Sequence, residues 1–258
     1  MRILDPVARV GSGAAGLLAG VGQAAGFLGR AARALADVGT WLPVTAVQAR
    51  RVGVDSVPVA VFIALFTGIV LALQSSYAMT GLVPLTFVGT LVGKSIILEL
   101  GPVLTGLVLA GRVGANVAAE LGTMRVTEQV DALEMMAYDP ASYLVVPRML
   151  AGVLTFPIVV GFAIAAGVAA AWVTALSLLD LSTQEFVRGL RMFYRGFDVQ
   201  FALMKSASFG FIVTGTGAFF GLRTERGAEG VGRAATRGVV ISCVLILMVD
   251  AVWALWLV

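Results

Sequence analysis

The chain has 258 residues but no histidine, and its one cysteine is Cys243. Histidine is the commonest general base near neutral pH and the commonest metal ligand, so its absence excludes most hydrolytic triads and zinc sites. A single cysteine forms no internal disulfide and does not indicate a redox compartment. We therefore predict a chain with no catalytic residues, no metal ligands and no bound cofactor of its own.

Charged residues are also scarce. They make up 13% of the chain, whereas hydrophobic residues make up 59%, and the mean hydropathy is +0.96. Soluble domains carry about 25% charged and about 45–50% apolar residues. This excess of apolar residues predicts an all-α integral membrane protein. The net charge of +3 comes from arginines at the ends of apolar runs, a pattern typical of membrane topology and not of nucleic-acid binding.

Five apolar runs approach or exceed the ~20 residues that a membrane-spanning helix needs. They cover residues 57–79, 86–110, 148–178, 201–222 and 238–258. The sequence predicts one domain, 1–258, in which residues 1–50 form an amphipathic interfacial segment and residues 51–258 form a transmembrane bundle. A disordered Gly/Ala-rich tail is the alternative for the first segment. The polar stretch 180–200 has room for a short surface helix, and small residues four apart within the runs predict close helix packing.

The distribution of arginines predicts the orientation of the chain. Six arginines precede the first run, three lie between the second and third runs or at the edge of the third, and four lie between the fourth and fifth, which makes thirteen on one side. The opposite side has three, Arg188, Arg191 and Arg195. Since positive charge marks the cytoplasmic side, the N-terminus is predicted to be cytoplasmic and the C-terminus periplasmic.

Two glycine-rich strings resemble nucleotide-binding motifs but lack the required context. Residues 11–16, GSGAAG, have no preceding strand. Residues 89–95, GTLVGKS, have one residue too few before the Gly-Lys pair and lie inside an apolar run. No serine lies in a Gly-x-Ser-x-Gly elbow. The sequence therefore predicts no nucleotide-binding site, and a transporter of this sequence that used ATP would need a partner that binds it.

The segment between the second and third runs is acidic and predicts a docking helix. Gly122 is expected to end the preceding helix, and residues 123–138 place Val126, Val130 and Leu133 on one face, with acids off that face. A short acidic helix rich in methionine suits a partner's groove. A solvated or membrane-surface helix is the alternative.

Ionisable residues within the apolar runs are a second candidate site. They are Lys94, Glu99 and Asp250; such residues are costly in hydrocarbon and usually face a bundle interior or a polar cavity. Lys94 and Glu99 are five residues apart and could pair with each other. They could instead line a cavity that meets a charged headgroup.

A long segment around these residues resembles the MlaE/YrbE permease family. The resemblance is carried by ELGPVLTGLVLAGRVGA at 99–115, by AELGTMRVTEQVDALEMM at 119–136, by the Asp139-Pro140 and Pro147-Arg148 pairs, and more loosely by RAATR at 233–237 and Asp250. It implies a permease subunit of an ABC transporter that moves phospholipids or related lipids between the inner and outer membranes. It further implies a homodimer, a separate cytoplasmic ATPase that uses ATP and Mg²⁺, and a periplasmic substrate-binding protein with MCE domains.

The resemblance also implies site residues. The residues expected to line an outward-facing lipid cavity at the dimer interface are Leu71, Gln74, Ala78, Met79, Leu82, Lys94, Glu99 and Leu100. The residues expected to contact the ATPase are Glu120, Arg125, Glu128, Asp131, Glu134 and Met135. Relatives often have arginine where this chain has Leu98, and Lys94, one helical turn earlier, is a candidate for the missing positive charge, a question that the sequence leaves open. A secondary carrier of lipids or hydrophobic solutes and a membrane scaffold of an envelope complex are the competing functions.

Overall fold

The computed structural model describes residues 5–79, 84–225 and 227–256, with side chains from residue 19 onward. The described residues form eleven α-helices and no strand. The helices are α1 (Asp5–Ala34), α2 (Val38–Val52), α3 (Val57–Ala78), α4 (Phe87–Ser95), α5 (Gly101–Leu109), α6 (Ala115–Val126), α7 (Gln129–Met135), α8 (Val146–Leu178), α9 (Thr183–Met192), α10 (Gly196–Gly221) and α11 (Gly227–Leu255). There are also three π-helical turns among the described residues. Ile96–Leu100 joins α4 to α5, Ala110–Gly114 joins α5 to α6, and Ala141–Val145 precedes α8.

Four continuous helical segments among the described residues are long and apolar enough to cross a membrane. They are Val38–Ala78, Phe87–Val126, Ala141–Leu178 and Gly227–Leu255. The all-α membrane class is therefore confirmed. The fourth predicted run corresponds to α10, whose 26 residues extend about 39 Å but fall short of the same apolarity. Its small and polar residues, such as Ser206 and Thr214, are buried in the bundle and need no lipid-facing apolar surface.

The bundle is organised around α8, which packs against α2, α3 and α10. Glycines allow two of these contacts. A Cβ on Gly68 of α3 would lie 2.1 Å from the carbonyl oxygen of Gly167, and one on Gly210 of α10 would lie 2.2 Å from that of Gly152. By contrast, Gly161 has open space around it. Only some of the small residues predicted to pack are therefore used for close approach.

The N-terminal segment is helical from Asp5, which argues against a disordered tail there. The second half of α1 contacts the bundle, where the Phe27 ring packs edge-on against Phe219 with centroids 5.5 Å apart. Helix α2 follows and runs through a 3₁₀ turn, Val54–Ser56, into α3. The interfacial position of residues 1–50 stays a prediction.

The predicted helix over residues 123–138 is wrong in its boundaries. Helix α6 continues through Gly122 to Val126, because this glycine serves packing: a Cβ there would lie 2.7 Å from Oγ1 of Thr224. The chain breaks instead at Glu128, whose φ of 59° is left-handed, and α7 has only seven residues. The segment Phe87–Val126 thus extends sixteen residues past the predicted end at 110.

The predicted surface helix between the third and fourth runs is present as α9. Ser182 and Glu185 form a capping box at its start. Thr90 of α4 donates a hydrogen bond to the Gly189 carbonyl oxygen at 2.6 Å, so α9 is fastened to α4.

Candidate functional site

An ion cluster lies inside the helical bundle, centred on Lys205 of α10. Its side chain has no exposed surface. Its Nζ donates hydrogen bonds to Glu99 Oε2 at 2.8 Å and to the Leu98 carbonyl oxygen at 3.1 Å. Nζ also lies 2.5 Å from Asp250 Oδ1, a contact that is an ion pair without hydrogen-bond geometry. One ammonium group thereby joins α10, α11 and the second membrane-crossing segment.

The environment of this cluster is part polar and part aromatic. Glu99 lies on the π-helical turn Ile96–Leu100, and its side chain is 43% exposed. Single π-helical turns inside α-helices occur frequently at functional sites. The Phe201 ring lies 5.9 Å from Nζ of Lys205 and packs edge-on against Trp253. The cluster is thus closed on the Lys205 side and open on the Glu99 side.

A second ion pair lies near this cluster and corrects a sequence-based alternative. Lys94 does not pair with Glu99; its Nζ bonds Asp198 Oδ2 at 2.6 Å. Residues five apart on an α-helix point in different directions, and Lys94 has a counter-ion on α10 instead. Asp198 also accepts a hydrogen bond from the backbone N–H of Arg195 at 3.0 Å, which fixes the start of α10.

Sequence reasoning missed Lys205, the residue that holds the cluster together. It lies within the run predicted as the fourth span, so its presence in an apolar segment was a usable signal. The cation that faces Glu99 is therefore Lys205 from another helix, and not Lys94 in place of the arginine that relatives often carry at Leu98.

The other described residues expected to line a lipid cavity lie in three environments. Leu71 and Met79 are partly buried against a cluster that contains Val88 and Val92. Leu100 lies in a narrow groove between the second segment and α3. The exposed residues are Gln74 and Ala78. Leu82 lies outside the described residues.

A network of arginines surrounds Glu120 at the end of the second segment. Glu120 Oε1 lies 2.9 Å from Arg148 Nη2 and 3.5 Å from Arg51 Nη1. Arg148 is almost fully buried and also donates to the Leu144 carbonyl oxygen at 2.7 Å. Glu120, one of the predicted ATPase contacts, is therefore engaged in holding α2, α6 and α8 together.

The remaining predicted ATPase contacts lie at the surface around α7. The helix is anchored by buried Val130 and presents its other side outward. Glu128 and Glu134 are exposed, and Met135 is 84% exposed. The other two residues, Arg125 and Asp131, form an ion pair that braces α6 against α7. The exposed face is acidic and carries a large apolar side chain, Met135.

These features define a polytopic α-helical membrane protein of the transporter class, with charges enclosed between its spanning segments. Residues 45–256 match the family model described as Permease MlaE. The chain belongs to this family, and it is a membrane permease subunit of the ABC transporter type and not a catalytic subunit. The described residues contain no group of three or more His, Cys, Asp or Glu side chains that could hold a metal ion.

Known relatives share most of the chain. A probable ABC transporter permease protein of Rickettsia prowazekii is 41% identical over 197 residues, which cover 76% of each chain. A probable ABC transporter permease protein of Synechocystis is 41% identical over 201 residues, 78% of this chain and 76% of its own. The intermembrane phospholipid transport system permease protein MlaE of Haemophilus influenzae is 32% identical over 209 residues, 81% of this chain and 80% of its own.

Proposed function

We propose that this chain moves phospholipids or related lipids between the inner and outer membranes of a cell envelope, as the permease subunit of an ABC transporter in the inner membrane. The Haemophilus influenzae relative is named for intermembrane phospholipid transport, and it aligns with four fifths of this chain. The energy comes from a separate ATPase that binds ATP and Mg²⁺. The working permease is a homodimer that also contacts a periplasmic protein with MCE domains.

The observation that carries this proposal is the half-open ion cluster at Glu99. Its carboxylate is held by Lys205 on one side and is exposed on the other, and the rings of Phe201 and Trp253 provide apolar surface beside the cluster. A lipid presents a polar headgroup and apolar chains together, and such a site offers a partner for each. The cluster holds two carboxylates, Glu99 and Asp250, against one ammonium, which favours a headgroup with a positive or hydrogen-bond-donating group.

The docking of the ATPase is assigned to the exposed face of α7. This helix follows the long second segment directly. A displacement of α7 is therefore transmitted to α6 and to the π-helical turns within that segment. The Arg125–Asp131 ion pair supports this connection. Acidic residues are unfavourable at an anionic membrane surface, which supports a protein partner over lipid at this place.

The topology that fits this assignment has α10 as a fifth span. Its length of about 39 Å exceeds the ~30 Å hydrocarbon core. Five crossings put α7 and the arginine-rich segment before α11 on the cytoplasmic side and the end of α11 on the periplasmic side. The exposed apolar strip of α3, which includes Phe62, Phe66, Val70 and Tyr77, suits contact with lipid or with the second copy.

Purification of the tagged chain from its native membrane tests the proposal. We expect an ATPase and an MCE-domain protein to co-purify, and we expect phospholipid in the lipid extract by mass spectrometry. Glu99→Ala should lower the bound phospholipid severalfold, and since Lys205 keeps Asp250 as a counter-ion, the fold should persist. Glu229→Ala, which removes an exposed carboxylate outside the bundle, is the matched control. Absence of any ATPase from the purified sample, together with unchanged lipid content in Glu99→Ala, would contradict the proposal.

A further inference from the structure

A polar cavity lies beside the C-terminal part of the long second segment. It has a volume of about 530 Å³ and opens between α2, α6 and α11. The polar part of its lining comes from Gln48, Arg51, Arg112, Asn116 and Glu120, and the rest is formed by valines and alanines. The cavity thus offers charged and apolar walls to one occupant.

The charge balance of this cavity favours an anion. Glu120 is the one carboxylate in its lining, and it is already bonded to Arg148 and Arg51. Arg112 makes no ion pair with any side chain that the structure describes; its Nη1 donates to the Ser56 hydroxyl. A guanidinium group has five N–H donors, so most of those on Arg112 are left for an occupant. A partly buried cation without a counter-ion is costly, and an anion removes that cost.

Gln48 adds an independent indication of a ligand. Only 7% of this residue is exposed, yet its side-chain amide makes no hydrogen bond with the described residues, and it lines the cavity. The amide is therefore open to the cavity, and an oxygen-rich occupant would accept hydrogen bonds from its N–H groups. The amide of Asn116, one helical turn after Arg112, lines the same cavity.

The position of Arg112 along the segment identifies the kind of anion. It follows Glu99 by thirteen residues, which is about 20 Å of helix. With Glu99 inside a hydrocarbon core about 30 Å thick, Arg112 reaches the edge of the core, where lipid phosphates lie. Arg112 also sits on its own π-helical turn, Ala110–Gly114, as Glu99 does on the other.

We propose that this cavity binds the phosphate group of a membrane phospholipid. Arg112 and Arg51 face the phosphate oxygens, the amides of Gln48 and Asn116 donate to them, and the valine-lined wall contacts the glycerol and the first acyl carbons. The inference rests on the proposed function, because it adds a second headgroup site to a lipid permease, about 20 Å from Glu99 and at the cytoplasmic edge of the bilayer.

Native mass spectrometry of the purified full chain with short-chain lipids tests the assignment. Phosphatidylglycerol should bind to the unaltered chain, and Arg112→Gln should weaken this binding about tenfold. Arg112→Lys, which keeps the charge, should restore part of it. Diacylglycerol with the same chains lacks the phosphate and should bind equally to all variants. Arg50→Gln, an exposed arginine outside the cavity lining, is the control, and circular dichroism checks that each variant is folded.

Each outcome of this experiment has a defined meaning. If inorganic phosphate displaces phosphatidylglycerol at equal concentration, the site takes free phosphate and the lipid assignment is wrong. If Arg112→Gln leaves lipid binding intact but prevents co-purification of the ATPase, the occupant is a partner's acid and the proposal fails. If Arg112→Gln weakens lipid binding but the complete transporter with the unaltered chain moves no lipid, the binding site is supported and the proposed function is wrong.

Discussion

Lys205 and Glu99 come from helices more than one hundred residues apart in sequence, and their charged groups meet at 2.8 Å with the lysine side chain wholly buried. A buried cation is tolerated only when its counter-charge and hydrogen-bond acceptors are supplied together. Glu99, Asp250 and the Leu98 carbonyl oxygen supply them here. The contacts of Lys205 with Glu99 and Asp250 therefore fix how α10 and α11 pack against the second segment.

Loss of the Lys205 charge should destabilise the bundle strongly. Lys205→Met leaves two carboxylates facing each other without a cation, and removal of one partner from a buried ion pair costs about 3–5 kcal/mol. We expect a much lower unfolding temperature in detergent, followed by circular dichroism. The triple change that adds Glu99→Gln and Asp250→Asn should recover most of the stability. An unchanged unfolding temperature for Lys205→Met alone would show that the cluster is not a structural centre.

Close contact between α3 and α8 should depend on one glycine and not on another. Gly68→Ala places a methyl group 2.1 Å from the Gly167 carbonyl oxygen, so the helices must separate, at a cost of about 1–3 kcal/mol. Gly161→Ala meets nothing within 4 Å and should be neutral or stabilise the helix by up to about 1 kcal/mol. Thermal unfolding of the two variants distinguishes them. Equal effects would contradict the close approach of these helices.

The long apolar helices could be predicted from the sequence because lipid-facing surface requires an unbroken apolar run. The first predicted run, 57–79, matches α3, Val57–Ala78, within one residue at its end. The fifth predicted run begins eleven residues after the start of α11 at Gly227. The helix starts earlier because its hydrogen bonds continue through the polar residues before Gly238. Polarity marks where the bilayer ends and not where a helix does.

Partner choice within the ion cluster could not be predicted in the same way. Glu99 and Asp250 stood out as charges in apolar runs, but pairing depends on which faces of distant helices meet. Gly122 shows the same limit. A glycine reads as a helix breaker along the chain, whereas in the fold it allows Thr224 to approach a continuous helix.

Charge reversal on the exposed face of α7 should separate the permease from its ATPase. Glu128→Lys with Glu134→Lys turns an acidic face basic while Val130 stays buried and the Arg125–Asp131 ion pair is kept, so the fold should hold. The amount of co-purified ATPase, measured by quantitative mass spectrometry, should fall at least tenfold. Glu229→Lys reverses an equally exposed acid elsewhere and should leave it unchanged. Retention of the ATPase by the double variant would place the docking surface elsewhere.

The most direct test of a lipid permease driven by a separate ATPase is lipid transfer by the reconstituted transporter. The complex is placed in vesicles with a fluorescent phospholipid, and the appearance of that lipid in acceptor vesicles or on the periplasmic partner protein is followed. We predict transfer that requires both ATP and the ATPase subunit and that falls severalfold with Glu99→Ala. Transfer by this chain alone without ATP, at the rate of the complete transporter, would contradict the account and indicate a secondary carrier.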